Sequence, residues 1–135
     1  TLNTTAAHVT EHSIISCPNN ETQANDVGLS TANVTWSAKP SANDTDGSVI
    51  DCASITCVDD SGSAVASMDP YPVGQTTVNC TAQGQNETAS CLFYITVNDN
   101  EAPNVTCPSD NTTNVDPGTA GAIVVWSVSP DATDV

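Results

Sequence analysis

The sequence predicts an all-β protein: immunoglobulin-like antiparallel β-sandwiches in tandem repeats, stapled by disulfides. Three observations carry that expectation. Apolar and polar residues alternate over short segments bounded by Pro and Gly. The chain repeats itself with a period of 90 residues. Six cysteines sit in 135 residues of which only 4% are aromatic, the composition of folded domains with a limited core.

The elements follow in order. Residues 13–17 and 22–27 read as short strands, and Ala32, Val34 and Trp36 alternate with Asn33, Thr35 and Ser37. Residues 48–58 read as a further strand, and Pro70-Tyr71-Pro72-Val73-Gly74 as a turn. Val78, Cys80 and Ala82 then alternate with Asn79 and Thr81, and Cys91, Phe93, Ile95 and Val97 with Leu92, Tyr94 and Thr96. No stretch carries a helical stripe. About six or seven short strands per period fit a sandwich. The Cys-Trp-Cys arrangement of antibody domains is not reproduced, since Cys17 lies only 19 residues before Trp36, so the likeness is to architecture.

Sliding the chain by 90 residues lays Cys17-Pro18 on Cys107-Pro108, Asp26 and Gly28 on Asp116 and Gly118, and Trp36-Ser37 on Trp126-Ser127. Residues 11–45 against 101–135 give 13 identities in 35 positions without a gap. The expected organisation is a linker or terminal extension over 1–10, one sandwich over 11–100, and the first part of a second over 101–135. A part sandwich leaves strand edges unpaired, so the second repeat is expected to be completed by its own chain or by strands from a neighbour.

Sixteen acidic residues face a single Lys or Arg, giving a formal charge of −15. That excludes nucleic acid as a direct partner, which needs a basic stripe, and Lys39 cannot supply one. The longest apolar run, residues 120–126, is too short for a membrane span, so no direct membrane insertion is expected.

The segments Cys17-Pro18, residues 71–78, Cys80-Thr81-Ala82, residues 91–97, and Asp99-Asn100-Glu101-Ala102-Pro103 followed by Cys107-Pro108 together resemble the hyalin repeat, or HYR, module. The resemblance implies an extracellular immunoglobulin-like module, found in tandem arrays and in mosaic surface or matrix proteins, associated with adhesion and not catalysis. The sequence departs from the family over residues 83–90, a shorter loop with Gly84 where an acidic residue is common.

Six cysteines allow fifteen pairings. Strand logic favours Cys17 with Cys91, where the first and last strands run side by side, and Cys57 with Cys80. Cys52 is then the odd one, a candidate for a bond between repeats or chains, and the partner of Cys107 is open. A zinc site is not expected, because Cys52 and Cys57 are five apart and the two His lie far away in sequence.

Asn-x-Thr acceptors for N-glycans occur at Asn3, Asn20, Asn33, Asn43, Asn79, Asn86, Asn104 and Asn111, eight sites where this composition gives about three by chance. Asn33 and Asn79 fall on the face opposite the apolar one, the orientation a bulky hydrophilic sugar requires. A secretory route and covalent N-glycans are therefore expected.

His8-Val9-Thr10-Glu11-His12 matches H-x-x-E-H, an inverted zinc-peptidase signature. It lacks the helix and third ligand that chemistry needs and runs into a strand-like segment, so it is read as two linker histidines and no enzyme is expected. Oxygen-rich turns are better chemical candidates. Asp99, Asn100 and Glu101 at the repeat junction, and Asp44 with Asp46, are candidate calcium ligands, and Asp59-Asp60 is another acidic turn. The competing reading is that Asp and Asn simply make turns and a solvated surface. The leading functional expectation is a structural subunit of an extracellular, N-glycosylated filament, coat or matrix, with other copies of itself as partners. The alternative is an adhesion or receptor ectodomain that binds a protein or glycan.

Overall fold

The structure, a computed structural model, describes residues 12–135. The chain divides into two compact units, one ending at Asn100 and one running from Glu101 to Val135.

The first unit is built of β1 (Ile14–Ser16), β2 (Glu21–Ala24), β3 (Thr31–Asn33), β4 (Ser41–Asn43), β5 (Val49–Ile50), β6 (Ile55–Val58), β7 (Pro70–Pro72), β8 (Gly74–Gln83) and β9 (Thr88–Asn98). These form a four-stranded sheet in the order β2-β9-β8-β6, a three-stranded sheet β1-β4-β5, and the pair β3-β7. The long hairpin β8–β9 is the backbone of the fold because its alternation is sustained. Val78, Cys80 and Ala82 of β8 and Phe93, Ile95 and Val97 of β9 are buried on one face, whereas Asn79, Leu92 and Tyr94 point outward. Each fully buried Val, Ile or Phe contributes about 1.5–3 kcal/mol over an exposed one. Ala32, Val34 and Tyr71 pack over this face. Ala42 and Ile50, with Ile15 and Ile55, cover Ala82 near the hairpin end. Trp36 stands edge-on to Phe93, with ring centroids 5.1 Å apart at 81°, a favoured aromatic geometry.

The all-β, immunoglobulin-like class is as the alternation predicts; β2 and β3 end at Ala24 and Asn33, earlier than the alternation suggests, and three further details differ. First, β2 runs parallel to β9, Glu21 opposite Ile95. The chain pairs with β4 along β1 and then, past the buried Pro18, crosses into the other sheet while keeping its direction; proline, having no N–H, ends the first ladder. Second, residues 48–58 are not one strand. The Asp51 carboxylate accepts the Ala53 N–H at 3.0 Å and caps a single 3-10 turn, Cys52–Ser54, that separates β5 from β6. Third, the Pro-rich stretch expected as a turn contains β7. Tyr71 lies opposite Ala32, its ring is buried, and its hydroxyl donates to the Ala66 carbonyl at 3.0 Å. The flanking prolines are tolerated because β7 pairs on one side only.

In the second unit β10 (Asn104–Thr106) pairs antiparallel with β11 (Asp131–Thr133). Val105 faces Ala132 there, and Ile15 faces Ala42 in β1–β4: the ladders are related residue for residue by the 90-residue shift. The turn between their strands recurs too. Leu29 N–H donates to Asp26 O, and Thr119 N–H to Asp116 O, with Gly28 and Gly118 both in the left-handed region, φ 74° and 75°, that only glycine enters without cost. Val124 and Trp126 are well exposed, whereas their first-unit counterparts Val34 and Trp36 are fully buried and half-buried.

Candidate functional surface: disulfides, sequons and acidic turns

The structure joins Cys17 to Cys91, Cα atoms 5.9 Å apart, and Cys57 to Cys80, Cα atoms 4.0 Å apart. Register explains both. Cys57 faces Cys80 across β6–β8, and Cys80 faces Cys91 across β8–β9, so three cysteines stand in one row on the inner face of the sheet. A one-residue slip of either ladder would turn one of them outward. This row is legible only once the pairing is known. Cys52 and Cys107 are exposed free thiols. Cys52 borders an open hollow of about 330 Å³ beside β6, shared with Trp36, Lys39, Ile55 and Cys57.

Asn20, Asn33, Asn43, Asn79, Asn86, Asn104 and Asn111 are all exposed; Asn3 lies outside the described residues. Asn33, Asn43, Asn79 and Asn104 sit on strands, with side chains directed away from the buried face where there is one. Asn86 occupies the turn of the β8–β9 hairpin. Asn20 uses its Oδ1 to accept the Tyr94 N–H at 2.9 Å, which leaves its Nδ2, the atom a glycan would take, unspent on that bond.

The candidate calcium residues are placed as follows. Asp44 is buried and accepts the Gln85 N–H at 2.9 Å, the Thr45 N–H at 2.7 Å and the Ser13 hydroxyl at 3.2 Å. The Gln85 amide, then the Thr45 amide, holds its carboxyl below the usual range. Glu87 accepts the Ser13 N–H, which is the main reason its carboxyl is also lowered, and lies 3.4 Å from the Nδ1 of exposed His12. Asp46 accepts the Ser48 N–H and hydroxyl, and its carboxyl is lowered chiefly by that hydroxyl. Asp59 closes a turn by accepting the Ser61 and Ser63 amides at 2.9 and 3.0 Å, and Asp60 accepts the Thr77 N–H at 2.9 Å. Asp99 and Asn100 end the first unit and Glu101 opens the second; the Asn100 N–H donates to Asn25 Oδ1 at 3.2 Å. Among the described residues no group of three or more His, Cys, Asp or Glu side chains converges as a metal site would require. Asp46, Asp51, Asp59 and Asp69 hold turn amides, whereas Asp44, Asp60 and Glu87 accept amides from distant segments. His8 and Glu11 of the H-x-x-E-H string lie outside the described residues.

Gly84 explains the unusual loop. A Cβ there would lie 2.9 Å from both Asp44 Oδ1 and the Glu87 carbonyl, closer than side chains approach. The glycine lets the tip of the β8–β9 hairpin press onto Asp44, and an acidic residue at that position would add like-charge repulsion to the clash.

Comparison with known proteins agrees with this architecture. The family model described as the HYR domain matches residues 10–97. Hyalin of Strongylocentrotus purpuratus is 30% identical over 125 residues, covering 89% of this chain and 10% of hyalin. The chain thus spans about a tenth of that relative's length. No solved structure matches significantly. With the family match extending over the whole disulfide-stapled sandwich, the chain belongs to the HYR domain family of extracellular, adhesion-type modules.

Proposed function

We propose that this chain is a section of an N-glycosylated extracellular filament, coat or matrix built from tandem HYR repeats, with other copies of the same protein as its partners. The observation that carries the reading is the recurrence of one ladder: Ile15 opposite Ala42 and Val105 opposite Ala132, each with the same glycine turn between its strands. A chain that pairs equivalent positions in the same register one period later has the construction of an array, in which each unit is a stiff segment. The exposure of every described sequon supports a sugar-coated outer surface. With one Lys and no Arg in the chain, cohesion between copies rests on disulfides, strand pairing, glycans or bound cations instead of ion pairs between side chains.

The second reading, an adhesion or receptor ectodomain that engages a protein or glycan, is favoured by the adhesion-type character of the family. Electron microscopy of the native material separates the two. Regular fibres with a repeating subunit are expected, and dispersed particles that bind a defined partner would sink the structural role.

A further inference from the structure

The outer face of the four-stranded sheet carries an apolar patch at its centre. Leu92 is 55% exposed and Tyr94 37% exposed, both on the outward side of β9. On β8 the residue directly opposite Leu92 is Asn79, and on the far side of Asn79 lies half-buried Val58 of β6. Tyr94 is the diagonal neighbour of Asn79, within reach of a long side chain. Asn79 is therefore an acceptor asparagine placed amid three apolar side chains, with its sequon Thr81 on the same face. A second sequon, Asn20, borders the patch by its bond to the Tyr94 amide.

We propose that the N-glycan on Asn79 folds down onto Leu92, Tyr94 and Val58 and serves as the missing cover of this sheet face. The occupant is the first N-acetylglucosamine pair of the glycan. Sugar rings present C–H faces that pack on an aromatic ring and on aliphatic side chains while their hydroxyls stay wet, which matches a patch of one aromatic and two aliphatic groups. The tether makes the contact intramolecular, so a weak interaction suffices to hold it. A neutral cover also suits a chain of formal charge −15, because it shields apolar surface without adding to the self-repulsion that more carboxylates would bring. The inference rests on the glycosylated reading of the sequons given above.

The test uses protein secreted from eukaryotic cells with its sugars intact. Site-resolved mass spectrometry first reports the occupancy of Asn79 and of the other sequons. Thr81→Ala and Asn79→Gln, two independent ways of deleting this one glycan, are then compared with the parent for binding of an uncharged apolar dye and for the unfolding midpoint. The expected result is occupied Asn79, more dye bound by both variants, and a midpoint lower by about 4 °C. Both effects should disappear in a Leu92→Ser, Tyr94→Ser background, where nothing is left to cover. Occupied Asn79 with unchanged dye binding and midpoint overturns the cover and leaves glycosylation standing. A bare Asn79 beside occupied sister sites also overturns it, and sugar-free protein at every sequon removes the glycosylated reading as well.

Discussion

At the scale of single residues, the acids of this chain act mainly through the backbone. Asp44, just past β4, and Glu87 tie the start of β1 to the tip of the β8–β9 hairpin: Asp44 accepts the Gln85 amide and the Ser13 hydroxyl, and Glu87 the Ser13 amide. Both carboxyls are lowered from their ordinary values of 3.8 and 4.5. A carboxylate with a depressed folded pKa contributes stability that is present above its unfolded value and lost as the pH falls through the folded one. The hairpin tie should thus be intact at neutral pH and weaken progressively below about pH 4.5. Protonation of the exposed acids acts in the opposite direction by relieving self-repulsion. The informative measurement is therefore a difference: the urea midpoint of the parent minus that of Asp44→Asn, followed from pH 7 to pH 3. The gap is expected to narrow as pH falls, and a gap independent of pH would mean the carboxylate charge contributes nothing. The charge itself was plain in the sequence. Its employment was not, because Asp-rich turns look alike whether they await an ion or already hold amides.

At the scale of elements, legibility tracked length. Strands β8 and β9 run 10 and 11 residues, long enough for a period of two to stand out, and the apolar phase marked Val78, Cys80, Phe93 and Ile95 as core. The two-residue β5 and three-residue β4 offer no period at all and are strands only because partners are there, β1 for β4 and β4 for β5. Strand β7 was hidden by its prolines, which signal a turn locally but are harmless where pairing is on one side only. The disulfides were within reach because strand order restricts which cysteines meet; the in-register row of Cys57, Cys80 and Cys91 was not, since it depends on ladder offsets that local sequence does not contain. The bonds differ in what they enclose. Cys17–Cys91 closes a separation of 74 residues and Cys57–Cys80 one of 23, so loop-closure entropy assigns them about 4 and about 3 kcal/mol respectively. Cys57→Ser with Cys80→Ser should accordingly destabilise the first unit less than Cys17→Ser with Cys91→Ser, as read by chemical denaturation. The reverse order would show that packing around buried Cys80, and not loop closure, dominates.

At the scale of the whole molecule, the 90-residue period was visible in the sequence, while its geometric meaning came from the structure, in which β10–β11 repeats the offsets of β1–β4. The long disulfide then has a mechanical consequence. Cys17 and Cys91 lie near the two ends of the first unit, so traction applied along the chain passes from one sulfur to the other and bears only on the segments outside the bond, the end of β9 among them. The loop between them is out of the load path. Pulled singly in a force spectrometer, the oxidised unit should yield only the short segments outside the bond. Reduction should release a further extension of about 250 Å, the contour of the 74 residues it encloses. An unfolding step of the same length with and without reductant would contradict this load path. A tether made of such units would be nearly inextensible while oxidised, its compliance confined to the joints between units.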